Sequence, residues 1–115
     1  VLSQLKAEEV TVPAIAKAAQ VGDPLARKVL QEGIDALGFG LAQVMAIACP
    51  KRLVVGGGVS LLGEETYLAP LRESVRRQTF TPYANLVDLV GAELGEEVVL
   101  HGAIALAMLG RFQAD

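Results

Sequence analysis

The chain carries three consecutive glycines, Gly56, Gly57 and Gly58, followed directly by Val59. They come after the short apolar run Leu53–Val55, which predicts a buried strand, and they precede a predicted helix start. Glycine has no Cβ, so a ligand can approach its backbone closely, and backbone amides at a helix start suit partial negative charge. A strand that ends in this way is typical of nucleotide-binding α/β proteins. We therefore predict that these four residues contact a nucleotide.

Two familiar phosphate-binding motifs do not fit this glycine segment. A dinucleotide fingerprint, G-x-G-x-x-G, would need its third glycine at Leu61. A mononucleotide P-loop would place its lysine and its hydroxyl residue at Glu64 and Glu65, whose carboxylates would repel a triphosphate. Two interpretations stay open: a tight strand-to-helix turn without a ligand, and the adenosine-side loop of the actin-like, sugar-kinase-like ATPase fold.

Composition places the chain among folded proteins and excludes several function classes. Its 115 residues allow one domain, and an apolar content of 52% with a mean hydropathy of +0.44 excludes disorder. The net charge of −3 argues against a nucleic-acid interface within these residues. The single cysteine, Cys49, excludes an internal disulfide and a cysteine-based zinc site, which fits a reducing cytoplasm. The apolar windows are too short or too interrupted to span a bilayer, so we expect no membrane partner.

The elements that position the glycines follow from helix caps, breakers and apolar spacing. Thr11 and Asp23 are predicted N-caps, each followed closely by a proline, and Gly22 ends the first of these two helices. The predicted helices are the tail Val1–Val10, Pro13–Gln20, Pro24–Cys49, Glu64–Gln78 and Glu96–Leu109, with a helical turn at Val59–Leu62 and strands at Arg52–Val55 and Leu86–Val90.

The longest predicted helix carries an apolar stripe at steps of three and four, which we expect to be buried. Its internal glycines, Gly33, Gly38 and Gly40, each cost about 1 kcal/mol relative to alanine, and close approach of a neighbouring backbone is the simplest explanation. The final helix is apolar on nearly all sides, so we expect it to be buried as well. The stripe consists of Leu25, Val29, Gly33, Leu37, Leu41, Val44 and Ala48.

Several chemically capable side chains receive structural interpretations. Cys49 is predicted to be a small buried apolar residue, and His101 a core or interface histidine. Asp88 is expected to be an exposed or strand-end carboxylate. The basic residues expected to form a solvated helix face are Arg72, Arg76 and Arg77.

The order of elements predicts an α/β fold that is not complete by itself. Strand, helix and strand in succession imply a parallel pair, and two strands are too few for an independent parallel sheet. The apolar content is also high for a small soluble domain. We therefore expect the remaining strands to come from elsewhere, and the apolar surface to be covered by a missing domain, another subunit or both, which favours a homo-oligomer.

Four motifs in order give the chain a resemblance to a known family. Ala18–Ala26 resembles the A-x-x-G-D-x-x-A helix start of ROK-family proteins, and Leu37–Ala42 resembles their L-G-x-G-L-A helix. Cys49–Ser60 is similar to the family segment D-P-x-x-I-V-x-G-G-G-V-S, with cysteine where aspartate or asparagine is usual. Leu94–Ala107 resembles the closing L-G and G-A-x-x-L-A pattern. The resemblance covers nearly the whole chain.

The resemblance implies a partial ribonuclease-H-like, actin-like ATPase domain that is helix-rich with a parallel strand pair. Residues 1–115 would be the C-terminal portion of a sugar kinase domain, with the N-terminal phosphate-binding and catalytic half absent. The parent protein would be a glucokinase-type enzyme that transfers phosphoryl from ATP, with Mg²⁺, to a hexose hydroxyl. Val59 and Leu62 would lie beside the adenine.

The family motifs D-x-G-x-T, E-x-G-H and C-x-C-G-x-x-G-C do not occur in this sequence. We therefore expect no catalytic residue, zinc ligand or metal ligand here, with any zinc confined to the missing half, and no kinase activity from the isolated chain. One alternative is the sugar-sensing and dimerisation segment of a ROK-type transcriptional repressor. Another is a structural remnant that binds neither nucleotide nor sugar.

Overall fold

A computed structural model describes residues 4, 6–85 and 88–112, without the side chains of residues 7, 96, 111 and 112. Four α-helices and two strands make up the regular structure of these residues. In chain order they are α1 (Val12–Gln20), α2 (Pro24–Ala48), β1 (Arg52–Val55), α3 (Ala69–Gln78), β2 (Asp88–Gly91) and α4 (Val98–Phe112). Short 3₁₀ turns lie at Ala7–Glu9, Gly58–Leu62, Thr81–Tyr83 and Gly95–Glu97.

The start of the chain differs from the helical tail predicted over Val1–Val10. Part of that range lies outside the described residues, and the described part contains the 3₁₀ turn Ala7–Glu9 and no α-helical residue. The first two residues of the second predicted strand, 86 and 87, lie outside the described residues. The described part, β2, runs from Asp88 to Gly91 and ends one residue after the predicted Val90.

The predicted N-caps are confirmed. The Thr11 side chain accepts a hydrogen bond from the amide of Ala14, and the Asp23 carboxylate accepts from the amides of Leu25 and Ala26 at 2.9 and 3.2 Å. Each cap satisfies amides that have no partner within the first helical turn. These local signals place the starts of α1 and α2 to within one residue of the prediction.

Cys49 ends α2 and is not the buried residue that was predicted. It is exposed, and it adopts the left-handed conformation, with φ 44° and ψ 49°. Its amide donates to the Met45 carbonyl, so it serves as the C-cap of the helix. This position more often carries glycine, because a Cβ is strained in the left-handed region.

The buried face of α2 is rotated by about one residue from the predicted stripe. Leu25 and Val44 are 49% and 43% exposed, although Leu37 and Leu41 do pack against the core. Helix α2 is apolar over much of its circumference, so periodicity alone does not select the face on which α1 and α3 pack. The buried residues of α2 are Ala26, Ile34, Gly38, Ala42 and Met45.

The two strands form a parallel pair, as predicted. Arg52 lies opposite Asp88 and Val55 opposite Gly91 in the register. Leu53 is half-buried and packs with Leu89 against the core, whereas Val54 is 63% exposed. The expectation of a fully buried strand is therefore wrong for one face of β1 in this chain.

The main core lies between α2, α3 and the strand pair. Leu71 is fully buried at its centre, and Leu89 joins it from β2. Partly buried leucines of α2 and β1 surround this cluster. The cluster consists of Ile34, Met45, Tyr67, Leu68, Leu71, Val75 and Leu89.

A π-helical turn, Glu64–Leu68, replaces the first part of the single helix that was predicted over Glu64–Gln78. The amide of Leu68 reaches back to the carbonyl of Gly63, and that of Ala69 to Glu64. Proline at position 70 has no amide hydrogen and cannot complete the α-helical pattern, which accounts for the wider turn before α3.

Two of the three arginines of α3, Arg76 and Arg77, are exposed as predicted, whereas Arg72 is half-buried. Arg72 donates through Nε to the Leu89 carbonyl at 2.7 Å and pairs with Glu64. Arg77 pairs with Asp35 of α2 at 3.0 Å. Arg76, which pairs with Glu73 within its own helix, comes nearest to the prediction. Arg72 and Arg77 therefore connect α3 to β2 and to α2, and these contacts stabilise the packing of the three elements.

Helix α4 is exposed rather than buried in this chain. Every side chain described for residues 98–110 is exposed, His101 included, so that histidine is not a core residue here. The radius of gyration, 17.5 Å, exceeds the value of about 13 Å for a compact chain of 100 residues. None of the helices in the described residues is long and apolar enough to cross a membrane.

Candidate functional site

The glycine segment forms the connection between β1 and the 3₁₀ turn Gly58–Leu62. Gly57 has φ 91° and ψ 170°, a conformation that side-chain-bearing residues rarely adopt. A Cβ placed on Gly57 or on Gly58 would meet no atom of the described structure within 4 Å. The backbone at these two glycines is therefore open to a ligand from outside. Gly56 is more enclosed, since its Cβ would lie 3.4 Å from that of Ala92.

A second glycine, Gly63, closes the same turn in nearly the same backbone conformation, with φ 88° and ψ −177°. Ser60 lies between the two glycines and is buried. Its hydroxyl donates to the Gly57 carbonyl at 2.6 Å, and its amide donates to the same carbonyl at 3.0 Å. The Ser60 carbonyl in turn accepts from the Gly63 amide at 3.3 Å.

An apolar groove runs from the glycine turn to the space between α1 and α2. It consists of two adjoining cavities. We call the one between α1 and α2, of about 240 Å³, the inner cavity, and the one beside the glycine turn, of about 490 Å³, the outer cavity; Val12 and Val59 line both. The inner cavity is also lined by Ile15, Val29, Leu30, Gly33 and Tyr67. The outer cavity is also lined by Pro13, Gly58, Leu61 and Leu62.

Tyr67 is the aromatic side chain among the described residues that line the apolar groove. It is buried in the main core, and burial raises the pKa of its hydroxyl. The hydroxyl therefore stays protonated at neutral pH, and the ring supplies apolar surface rather than charge.

The structure brings together Gly58, Val59 and Leu62 of the predicted site, because all three line the outer cavity. The contribution of α1 through Val12 and Ile15 was missed by the sequence analysis. Pro13 had indicated only a helix start, and the contact of α1 with the glycine turn depends on how α1 folds back over α2.

The ionisable residues near the strands have partners of their own. Asp88 pairs with Arg52 at 2.7 Å across the strand register and is exposed, as predicted. His101 of α4 lies 3.8 Å from Glu97, which belongs to the 3₁₀ turn just before that helix. Within the described residues, no group of three or more histidine, cysteine, aspartate or glutamate side chains could hold a metal ion.

The described helices and the parallel strand pair form part of an actin-like ATPase fold, as their likeness to solved sugar-kinase structures shows. The family model for the ROK family matches residues 2–109, and the chain belongs to that family. The fold and the family expected from the sequence motifs are thereby confirmed.

Individual relatives include both kinases and regulators. A xylose repressor from Caldicellulosiruptor bescii is 27% identical over 88% of this chain and 25% of the repressor. A glucokinase from Thermotoga maritima is 30% identical over 77% of this chain and 28% of the enzyme. The chain thus spans about a quarter of the length of these relatives.

One solved structure combines the family with bound ligands. It is a ROK-family glucokinase from Streptomyces griseus in complex with glucose and AMPPNP, and its sequence is 38% identical to this chain. The two structures align with a TM-score of 0.70 over 80% of this chain and 30% of that glucokinase.

Proposed function

We propose that this chain forms the base-facing wall of the ATP site of a sugar kinase. The observation that carries the proposal is that the open backbone of Gly57 and Gly58 adjoins the apolar groove lined by Val59. A nucleotide has the matching chemistry, since its base is flat and largely apolar and its ribose and phosphates need close approach to a backbone.

The groove has the character of a binding site for the base. Aliphatic side chains from α1 and from the glycine turn line it, and Val12 of α1 and Val59 of the turn line both cavities. Removing a flat ring from water between such surfaces gains roughly 25 cal/mol per Å² of apolar area. In this proposal Gly56, Gly57, Gly58 and Val59 are the nucleotide-contacting residues.

The parent activity in this proposal is phosphoryl transfer from ATP to a hexose hydroxyl, of the glucokinase type. Such transfer depends on positioning and on electrostatic stabilisation, to which Mg²⁺ contributes by neutralising charge on the phosphoryl oxygens. We assign no Mg²⁺ ligand and no catalytic residue within the described part of this chain. The isolated chain is therefore expected to show no turnover in a coupled assay with ATP and glucose, and turnover would overturn this assignment.

The exposed helix α4 needs cover in the same proposal. Its large apolar side chains include Leu100, Leu106 and Leu109, each at least 60% exposed. An exposed apolar surface of this kind marks an interface. We infer that the rest of the parent protein or a second copy covers it, and sedimentation of a strictly monomeric species at micromolar concentration would argue against self-association.

A second candidate function is supported by the similarity to the xylose repressor. In that case the segment would belong to a sugar-sensing and dimerising scaffold, and ATP would not be its ligand. A winged helix elsewhere in the same polypeptide, together with sugar-dependent DNA binding, would favour the repressor. ATP-dependent phosphorylation of glucose by that polypeptide would favour the kinase.

The direct test is a titration of this chain with ATP, in which binding is monitored by nuclear magnetic resonance of the isotope-labelled protein. We expect the amides of Gly57, Gly58 and Val59 to shift on titration with ATP. Val59→Asp places a charge in the groove and should weaken ATP binding by about tenfold or more, equivalent to roughly 1.4 kcal/mol.

Val54→Asp is the matched control for this test. It makes the same change on β1, at a valine that is exposed and is not among the residues lining the groove. We expect its ATP affinity to stay within about twofold of that of the unmodified chain. Absence of ATP binding in the unmodified chain, or equal losses in the two variants, would overturn the proposed function.

A further inference from the structure

Ser60 is connected to both of the glycines that bound the turn next to the groove. Its hydroxyl and its amide both donate to the Gly57 carbonyl, at 2.6 and 3.0 Å, and its carbonyl accepts from the Gly63 amide. Ser60 itself is buried, with 9% of its surface exposed. The five residues Gly58–Leu62 are thereby closed into one hydrogen-bonded unit between two glycines of nearly identical conformation.

The hydroxyl of Ser60 also determines where the Gly58 amide points. A peptide unit is planar and trans, so the carbonyl of Gly57 and the N–H of Gly58 point in opposite directions. Because Ser60 holds that carbonyl through two hydrogen bonds, the Gly58 N–H is directed away from Ser60. Gly58 is exposed and lines the outer cavity, so its N–H is a fixed donor on the open side of the turn.

We propose that Ser60 is a positioning residue for nucleotide binding, which acts by holding the Gly57–Gly58 peptide in the orientation that receives the nucleotide. This inference rests on the proposed function and adds to it a residue that does not touch the ligand. Glycines permit many backbone conformations, so the turn needs such a restraint to remain in one of them. When a ligand binds only one conformation, its apparent dissociation constant equals the intrinsic constant divided by the fraction of molecules in that conformation. ATP affinity therefore falls as molecules leave the conformation that Ser60 holds.

The test compares three variants of the full chain: Ser60→Ala, Ser60→Thr and Ser74→Ala. Ser60→Ala removes the hydroxyl bond and should weaken ATP binding by about five- to tenfold, as expected when one net hydrogen bond no longer holds the competent conformation. Ser60→Thr keeps the hydroxyl and should restore the affinity to within about threefold of that of the unmodified chain. The Gly58 amide resonance should shift in Ser60→Ala without ligand, which reports the peptide orientation directly.

Ser74→Ala is the matched control, because Ser74 is also a buried serine with a hydroxyl hydrogen bond. That bond goes to Asp35 in the contact between α2 and α3. We expect this variant to unfold at a lower temperature and to bind ATP as the unmodified chain does. ATP binding that is unchanged in Ser60→Ala, or lost equally in both alanine variants, would overturn the role of Ser60 and leave the proposed function standing. No ATP binding by the unmodified chain would instead overturn the proposed function itself.

Discussion

A Cβ placed on Gly38 of α2 would lie 2.5 Å from the hydroxyl oxygen of Ser74 and 2.9 Å from its Cβ on α3. Ser74 is fully buried at this contact, and its hydroxyl donates to the Asp35 carboxylate at 2.6 Å. Gln78 donates to the Asp35 carbonyl and to the Ser74 hydroxyl, each at 3.0 Å. The missing side chain of Gly38 thus allows a polar network to form between the two helices that carry the core.

We predict that Gly38→Ala destabilises the chain by about 1–3 kcal/mol, the usual range for overpacking a buried contact. The added methyl group must displace Ser74, whose own hydrogen bonds limit its movement. Gly40→Ala is the control, because its Cβ would meet nothing within 4 Å. That variant should gain up to about 1 kcal/mol from helix propensity. Denaturant unfolding measures both, and equal stabilities of the two variants would contradict the prediction.

The paired glycines of the turn should respond differently from the glycine between them. Gly57→Ala and Gly63→Ala place a Cβ in a backbone region that favours glycine, at a cost of about 1–3 kcal/mol each. The free energy of unfolding of Gly58→Ala should stay within about 0.5 kcal/mol of that of the unmodified chain. The added Cβ would have open space around it, and φ at position 58 is not positive. Under the proposed function, Gly58→Ala nevertheless weakens ATP binding, since the open space is where the ligand lies. Thermal unfolding with ATP titration separates the two effects, and a large loss of stability in Gly58→Ala would contradict this prediction.

Local signals were sufficient to predict where α1, α2 and β1 begin and that the two strands pair in parallel. Thr11 and Asp23 cap helices through bonds to residues two or three positions away, so their sequence context contains the whole interaction. The ends of β1 follow in the same way from Pro50 and from the glycines. The family resemblance then placed the glycine segment in the correct fold.

Long-range packing was not available from the sequence. Asp35 and Ser74 are 39 positions apart, and nothing in either segment indicates that they meet. The buried face of α2 could not be selected because that helix is apolar on more than one side. The burial predicted for α4 was based on its apolar residues on nearly all sides, which do not identify a packing partner, and the described residues leave that helix exposed. The hydrogen bond from the Ser60 hydroxyl to the Gly57 carbonyl is local, and the sequence analysis did not predict it. A serine hydroxyl can donate to the carbonyl of the residue three positions before it, so this contact could have been proposed from the sequence.

The stability of the contact between α2 and α3 should depend on pH through Asp35. The hydrogen bond from Ser74 is the largest cause that lowers the pKa of this carboxyl, followed by one from Gln31, and the charge of Arg77 lowers it as well, although partial burial opposes them. A group whose pKa is lower in the folded state contributes stability above its unfolded pKa, and that contribution is lost as the pH falls through the folded pKa.

We therefore expect the unmodified chain to lose stability as the pH falls below the ordinary aspartate value of 3.8. The Asp35→Asn side chain cannot titrate. The difference in unfolding free energy between the unmodified chain and this variant should therefore shrink as the pH falls below that value. Unfolding midpoints measured at several pH values from neutral downward provide the comparison, in which the other carboxylates are common to both proteins. A constant difference across the whole range would show that Asp35 does not contribute in this way.

Cys49 provides the last prediction, because it is the non-glycine residue with positive φ in the described chain. The left-handed conformation costs a side-chain-bearing residue roughly 1–2 kcal/mol, and glycine avoids that strain while losing somewhat more entropy on folding. Cys49→Gly should therefore stabilise the chain by about 0.5–1 kcal/mol. Cys49→Ala removes the exposed thiol but keeps the Cβ, so its stability should stay within about 0.5 kcal/mol of that of the unmodified chain. Denaturant unfolding midpoints of the unmodified chain and the two variants, measured under reducing conditions, test this prediction. An equal gain in both variants would attribute the effect to the thiol, whereas a loss in Cys49→Gly would mean that the backbone at this helix end is not strained.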